Sequence, residues 1–224
     1  FSILAPRNEY GNTITGLYKK LVRDKDGTFI TSEFYVTNEK SLERSIDHVV
    51  NAFILDPSIK LEGDSVIKES QRQYSEVILI PESGRVLSKI MEKIKSKNTD
   101  ERNFKILGSS NWDNISTLND PKLIGSWFPA PLDDDFRKFE KTYYKNFEKF
   151  PPRLSSISYD LVLALSQVAK DKESDDDKSP ITAGNLVSYQ EGFVGIDGPF
   201  RFLPNGLVQR NLAILEVGNG EFNT

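Results

Sequence analysis

The stretch Tyr74 to Ile94, YSEVILIPESGRVLSKIMEKI, constrains the fold of this chain more than any other. Val77 to Ile80 is a continuous apolar run, too short for a helix and rich in branched residues, as expected of a strand buried on both faces of a parallel sheet. Pro81, Glu82, Ser83 and Gly84 interrupt the run. Leu87, Ile90, Met91 and Ile94 then recur at i, i+3, i+4 and i+7, the apolar face of an amphipathic helix that Ser83 is placed to cap. Strand, polar loop and helix in this order make one βα unit. In open α/β sheets such loops gather at the carboxyl ends of the strands, where ligands bind.

The same unit recurs along the first half of the chain. Phe1 to Ala5 predicts a strand, Pro6 to Asn12 a polar loop, and Ile14, Leu17, Tyr18, Leu21 and Val22 a helix face. Phe29 to Val36 alternates, with Ile30, Phe34 and Val36 on one side. Asn38 then caps a helix whose Leu42, Ile46, Val49, Val50 and Phe53 face the sheet. Leu55 to Gln73 is a charged connection with Pro57 and Gly63, long enough for a short extra helix or a mobile flap. Phe104 to Leu107 is a fourth strand, ending in Gly108, Ser109, Ser110, Asn111 and Trp112, and Leu123 to Phe128 is a fifth. Five strands alternating with helices predict an α/β fold with a doubly wound parallel sheet and right-handed crossovers.

The pattern changes after Pro129. Asp133, Asp134 and Asp135 lead a helix carrying Phe136, Phe139, Tyr143, Phe147 and Phe150, an arrangement that suits the positive end of a helix dipole. Pro151 and Pro152 stop it. A second helix follows, with Ile157, Leu161, Ala164, Leu165 and Val168 on one face. Lys170 to Ser179 reads as a solvated acidic loop. Phe193 to Phe202, a Pro204-Asn205-Gly206 turn and the run Leu212 to Val217 together predict a hairpin.

Composition removes several function classes. The 224 residues include no cysteine, which excludes disulfides, thiolate metal sites and a cysteine nucleophile. His48 is the only histidine and lies off the apolar face of its helix, so it reads as solvated rather than catalytic. No G-x-S-x-G elbow, phosphate-binding glycine loop or calcium loop is present, so no catalytic residue, metal ligand or cofactor is indicated. The net charge of −4 argues against a nucleic-acid surface. No apolar stretch approaches the roughly 20 residues that span a bilayer. Phe1 starts inside what reads as a strand, which predicts a processed or truncated chain whose signal peptide or lipid anchor is out of view.

The succession of βα units, the Tyr10-Gly11 pair after the first strand, the Gly125-Ser126-Trp127-Phe128 segment and the Tyr159-Asp160 helix start resemble the periplasmic leucine/isoleucine/valine-binding proteins. These are two-lobed, type I solute receptors. Within that superfamily GSWFPAP (Gly125 to Pro131), PPRLSSISYD (Pro151 to Asp160) and GFVGIDGPFRFLPNG (Gly192 to Gly206) look most like a bacterial branch described as penicillin-binding protein activators. The resemblance implies a five-stranded parallel C-terminal lobe at 1–128, helices of an N-terminal lobe at 129–192, and a crossover hairpin with terminal strand at 193–224. It further implies that the N-terminal lobe's own sheet is missing, which would leave on the helices of 133–170 an exposed apolar patch, or one covered by a partner segment, a swapped copy or another chain.

The resemblance also supplies candidate ligand-binding residues: Tyr10 and Gly11 after the first strand, Glu82, Ser83 and Gly84 after the third, and Ser109, Ser110, Asn111 and Trp112 after the fourth. Helix-terminal N–H groups at Ser83 and Gly84 suit a carboxylate, and a ring at Tyr10 or Trp112 suits an apolar moiety. The acidic group that pairs with a ligand ammonium in the amino-acid binders would fall near Asn111, which is neutral and speaks against an α-amino acid. The implied function is a noncatalytic solute-binding protein in the periplasm or envelope of a Gram-negative bacterium. It would close two lobes on a small polar ligand, an amino acid or a peptidoglycan-related compound, and serve a transporter permease. The alternatives are an envelope protein with a vestigial cleft that regulates peptidoglycan synthesis through a penicillin-binding protein, and the effector lobe of a repressor.

Overall fold

The computed structural model describes residues 1–55, 76–97, 104–131 and 134–223. The charged connection after Leu55 lies outside these residues. The chain forms two compact units, one of Phe1–Pro129 with Ile214–Thr224 and one of Ala130–Ala213.

In the first unit the expected strands form β1 (Ser2–Pro6), β2 (Thr31–Tyr35), β3 (Glu76–Leu79), β4 (Phe104–Leu107) and β5 (Trp127–Ala130). They alternate with α1 (Glu9–Asp24), α2 (Glu39–Leu55), α3 (Gly84–Lys97) and the single turn α4 (Ile115–Leu118). The pairs β1 with β2, β1 with β3, β3 with β4, and β4 with β5 are all parallel. Register places Ile3 opposite Leu79, and Leu79 opposite Leu107. Ile3, Ala5 and Leu79 pack with Ile14 and Tyr18 of α1. Side chains alternate across a strand, so Leu4, Ile78 and Ile106 face the other way. They are buried, as are Leu42, Ile46, Val49 and Val50 of α2 and Leu87, Ile90, Met91 and Ile94 of α3, and α2 packs on α3.

Several local expectations are corrected. Among the described residues the sheet has seven strands, in the order β10-β9-β5-β4-β3-β1-β2, because β9 (Ala213–Val217) and β10 (Phe222–Asn223) extend it beyond β5. The amide of Gly125 donates to the Val217 carbonyl at 2.8 Å, and that of Val217 to Ser126 at 2.9 Å. Leu212 to Val217 is therefore not the second arm of the hairpin. The segment expected to open a strand at Leu123 is instead a 3-10 turn, Pro121–Leu123, capped by the Asp120 side chain on the Lys122 amide. Helix α1 begins at Glu9, earlier than the apolar pattern implied, because the Asn8 side chain accepts from the Gly11 amide at 2.8 Å and caps it there. A Cβ at position 11 would lie 1.9 Å from the Pro6 carbonyl oxygen, so only glycine lets α1 start this close to β1. That approach turns Gly11, Thr15 and Val22 inward and leaves Leu17 and Leu21 exposed.

The second unit overturns the expectation of a lobe without its sheet. Alongside α5 (Asp134–Phe147), α6 (Ser155–Ser174) and α7 (Ala183–Ser188) it holds an antiparallel sheet of β6 (Phe193–Gly195), β7 (Gly198–Phe202) and β8 (Val208–Arg210). The architecture is thus two sheets, each with its own helices, and not one lobe with an incomplete neighbour. Ala164 and Val168 of α6 pack on Phe193 and Phe200. The buried face of α6 runs through Ser156, Asp160, Ala164 and Val168, whereas Ile157 and Leu161 are exposed. The reason is polar. Asp160 accepts the Ile196 amide at 2.7 Å and pairs with Arg210 at 2.8 Å, while Asp197 pairs with Arg153 at 2.7 Å and accepts from the Ser156 hydroxyl at 2.6 Å. This ion-pair seam, invisible to a hydrophobic pattern, ties α6 to the turn between β6 and β7 and to β8.

Candidate functional site

The candidate residues meet at the carboxyl edge of the first unit's sheet. Glu82 stands three residues past the end of β3 and is half-buried. One of its carboxylate oxygens accepts from the Ser83 amide at 3.0 Å, and the other from the hydroxyl of Tyr35 at the end of β2. Its backbone carbonyl accepts from the indole N–H of Trp112 at 2.7 Å. The ends of β2, β3 and β4 are thereby joined through one residue.

Trp112 closes the 3-10 turn Ser110–Trp112 after β4 and is 0% exposed. Its ring occupies the space a side chain at Gly108 would need, since a Cβ there would fall 2.1 Å from the indole. In the turn Ser109 is half-buried, while Ser110 and Asn111 are exposed. The Tyr10 hydroxyl, in the first turn of α1, donates to Ser109 Oγ at 3.3 Å, which joins the end of β1 to that of β4. The Tyr10 ring is 42% exposed, Ser110 and Asn111 are exposed, and Gly84 opens α3 with a φ of 60°. Tyr10, Glu82, Ser109 and Trp112 thus lie in one bonded constellation. Gly11 serves the packing of α1, and Trp112 sits beneath the surface as a strut.

Tyr35 is the member that sequence reading missed. The alternation in Phe29 to Val36 placed Ile30, Phe34 and Val36 together on one face and gave Tyr35 no role, yet Tyr35 is the buried residue of β2, 1% exposed. Burial, followed by the hydrogen bond and charge of Glu82, pushes its phenol well above the ordinary tyrosine range, so it stays a proton donor at every physiological pH. A tyrosine three residues before the helix cap Asn38 was the available signal. On the face of the sheet towards α1 there is also a cavity of about 520 Å³ lined by Ile14, Tyr18, Leu79, Leu107, Ser109 and Trp127, among others.

Comparison with known proteins places the fold. No protein-family model and no curated protein matches the sequence. Solved structures do match. A protein of Rhodospirillum rubrum described as a branched-chain amino acid ABC transporter superposes with a TM-score of 0.73 at 14% identity, over 99% of this chain and 59% of that one. The periplasmic ligand-binding protein of a branched-chain amino acid ABC transporter from Burkholderia xenovorans gives 0.68 at 14% identity, over 98% and 54%. A leucine-binding protein of Thermotoga maritima gives 0.65 at 14% identity, over 99% and 59%. The chain has the fold of periplasmic solute-binding proteins and spans less than two thirds of the length of these relatives. These three structures are described as belonging to ABC transporters or as a leucine-binding protein.

Proposed function

We propose that this chain belongs to a noncatalytic, extracytoplasmic solute receptor that closes on a small polar ligand and delivers it to an ABC transporter permease. The observation that carries this reading is the constellation at the carboxyl edge of the sheet. Tyr10, Glu82, Ser109 and the 3-10 turn ending in Trp112 come from three strand ends and are held in place by one another before any ligand arrives. Such preorganisation reduces the cost of binding. The carboxyl edge is also where open α/β sheets take their ligands, and the fold is that of transporter-associated receptors.

Native mass spectrometry of the full-length protein isolated from its own host, before and after denaturation, tests the proposal. A small molecule released on denaturation supports a receptor. A bare protein that also fails to bind any solute of a broad panel overturns it.

A further inference from the structure

We propose that the cavity on the α1 face of the first unit's sheet is a second binding site, which takes an uncharged, largely apolar molecule carrying one hydrogen-bond-accepting oxygen. The proposal does not rest on the receptor reading. Of the candidate ligand-binding residues at the carboxyl edge, only Ser109 and Ser110 line this cavity.

Every lining residue belongs to the first unit. Ile14 and Tyr18 come from α1, Leu79 and Leu107 stand in register on β3 and β4, and Trp127 and Ile214 come from β5 and β9. The volume of about 520 Å³ falls in the range of small-molecule pockets, roughly 300–1,000 Å³. Trp127 is held in place, since its indole donates to Glu216 at 2.5 Å and the Lys105 ammonium lies 3.8 Å from its ring centre. No lysine, arginine, histidine, aspartate or glutamate lines the cavity. An ion entering it would lose hydration and gain no charged partner, so the lining selects uncharged molecules.

One polar group of the lining lacks a partner. The Tyr18 hydroxyl is buried and forms no hydrogen bond within the protein, whereas Ser109 Oγ accepts from Tyr10. Burial pushes the Tyr18 phenol well above the ordinary tyrosine range, so it stays protonated and acts as a donor. Phe1 and Phe29 meet its ring edge-on, with centroids at 6.4 and 6.3 Å, and fix the direction of that donor. Buried donors are rarely left without an acceptor. A water molecule is a poor one here, because a buried water needs roughly two to four polar partners and this lining is mostly apolar. A ketone, ester or lactone oxygen accepts from Tyr18 with no further polar demand. Its carbon body then covers Ile214 and Trp127, which are 60% and 40% exposed, and removes their apolar surface from water.

The test uses the full-length protein and three probes of similar shape, acetophenone, ethylbenzene and benzoate, with calorimetry and NMR of isoleucine and leucine methyl groups. Acetophenone is expected to bind, to shift the methyls of Ile14, Leu107 and Ile214, and to lose about threefold to tenfold in affinity in Tyr18→Phe. Ethylbenzene should bind more weakly and equally to both proteins, and benzoate should leave these methyls unmoved. Tyr18→Phe deletes a hydroxyl that bonds to nothing in the protein, so its melting temperature should equal or exceed the parent's. If that variant does not fold, the order of the three probes on the unaltered protein decides. Acetophenone binding that Tyr18→Phe leaves unchanged, shifts confined to other residues, or a preference of these methyls for benzoate overturns the proposal. So does the absence of any shift because Ile14 and Ile214 already pack against another part of the full-length protein or a second copy. Each of these outcomes leaves the receptor reading standing, since that reading concerns the carboxyl edge and is tested by the solute the protein releases on denaturation.

Discussion

The indole of Trp112 donates to the backbone carbonyl of Glu82 at 2.7 Å across 30 residues of sequence. A buried indole N–H needs an acceptor, and the carbonyl at the carboxyl end of a parallel strand has no further strand partner to give. One hydrogen bond thus satisfies both groups and sets the loop after β3 against the turn after β4.

Removing the phenol that holds Glu82 tests whether the constellation is preorganised. Tyr35→Phe keeps the ring and deletes one hydrogen bond to a charged group, and is expected to cost about 1.5–3 kcal/mol of stability. Urea denaturation measures it. A variant as stable as the parent would mean that the hydroxyl does not hold the carboxylate.

Gly108→Ala brings a methyl into the Trp112 ring, 2.1 Å from its nearest atom. Overpacking of this kind costs about 1–3 kcal/mol. Displacement of the indole should also shift its fluorescence to the red, while Trp127, already 40% exposed, contributes a constant background. An unshifted spectrum with unchanged stability would show that the turn tolerates the side chain.

The seam in the second unit predicts a large effect from a small change. Asp160 is 1% exposed, and Asp160→Asn leaves Arg210 beside a neutral amide. Breaking a buried pair by neutralising one member costs about 3–5 kcal/mol. Chemical denaturation followed by hydrogen exchange of the Ile196 amide, which Asp160 holds at 2.7 Å, locates the loss. Protection of Ile196 equal to that of the parent would argue against the seam.

Glu216 offers a pH readout in the first unit. The Trp127 indole, donating at 2.5 Å, and then Lys105 hold its carboxyl below the ordinary glutamate range. A carboxyl depressed in the folded state stabilises the fold above its ordinary pKa, and that contribution is lost as pH falls through the depressed value. Trp127→Phe should raise the Glu216 midpoint, followed by NMR of the side-chain carboxyl, part of the way to the ordinary range, with Lys105 still holding it down. The same midpoint in both proteins would place the cause elsewhere.

Periodicity made the first unit legible. Runs such as Val77 to Ile80 admit little but a buried strand, and the i, i+3, i+4 pattern of Leu87 to Ile94 admits little but a helix facing it, because both report how much apolar surface must leave water. The carboxyl-edge loops followed from that order. Asn38 was legible too, and its side chain accepts the Ser41 amide at 2.8 Å, as a cap must. The second unit was harder to read, since β6 and β8 are only three residues long and α6 turns a polar seam inward.

What the sequence determined by itself was the set of βα units and the loops that follow their strands, because hydrophobic spacing and turn chemistry act over a few residues. What only the tertiary structure decided was which of those loop residues face outward and which are buried supports. Trp112 became a strut because Gly108 left room for its ring, and Tyr35 turned inward because Glu82 stood ready to accept its hydroxyl. Glu82, which accepts from both side chains, lies 30 residues from Trp112 and 47 from Tyr35, and only the folded sheet brings them within bonding distance.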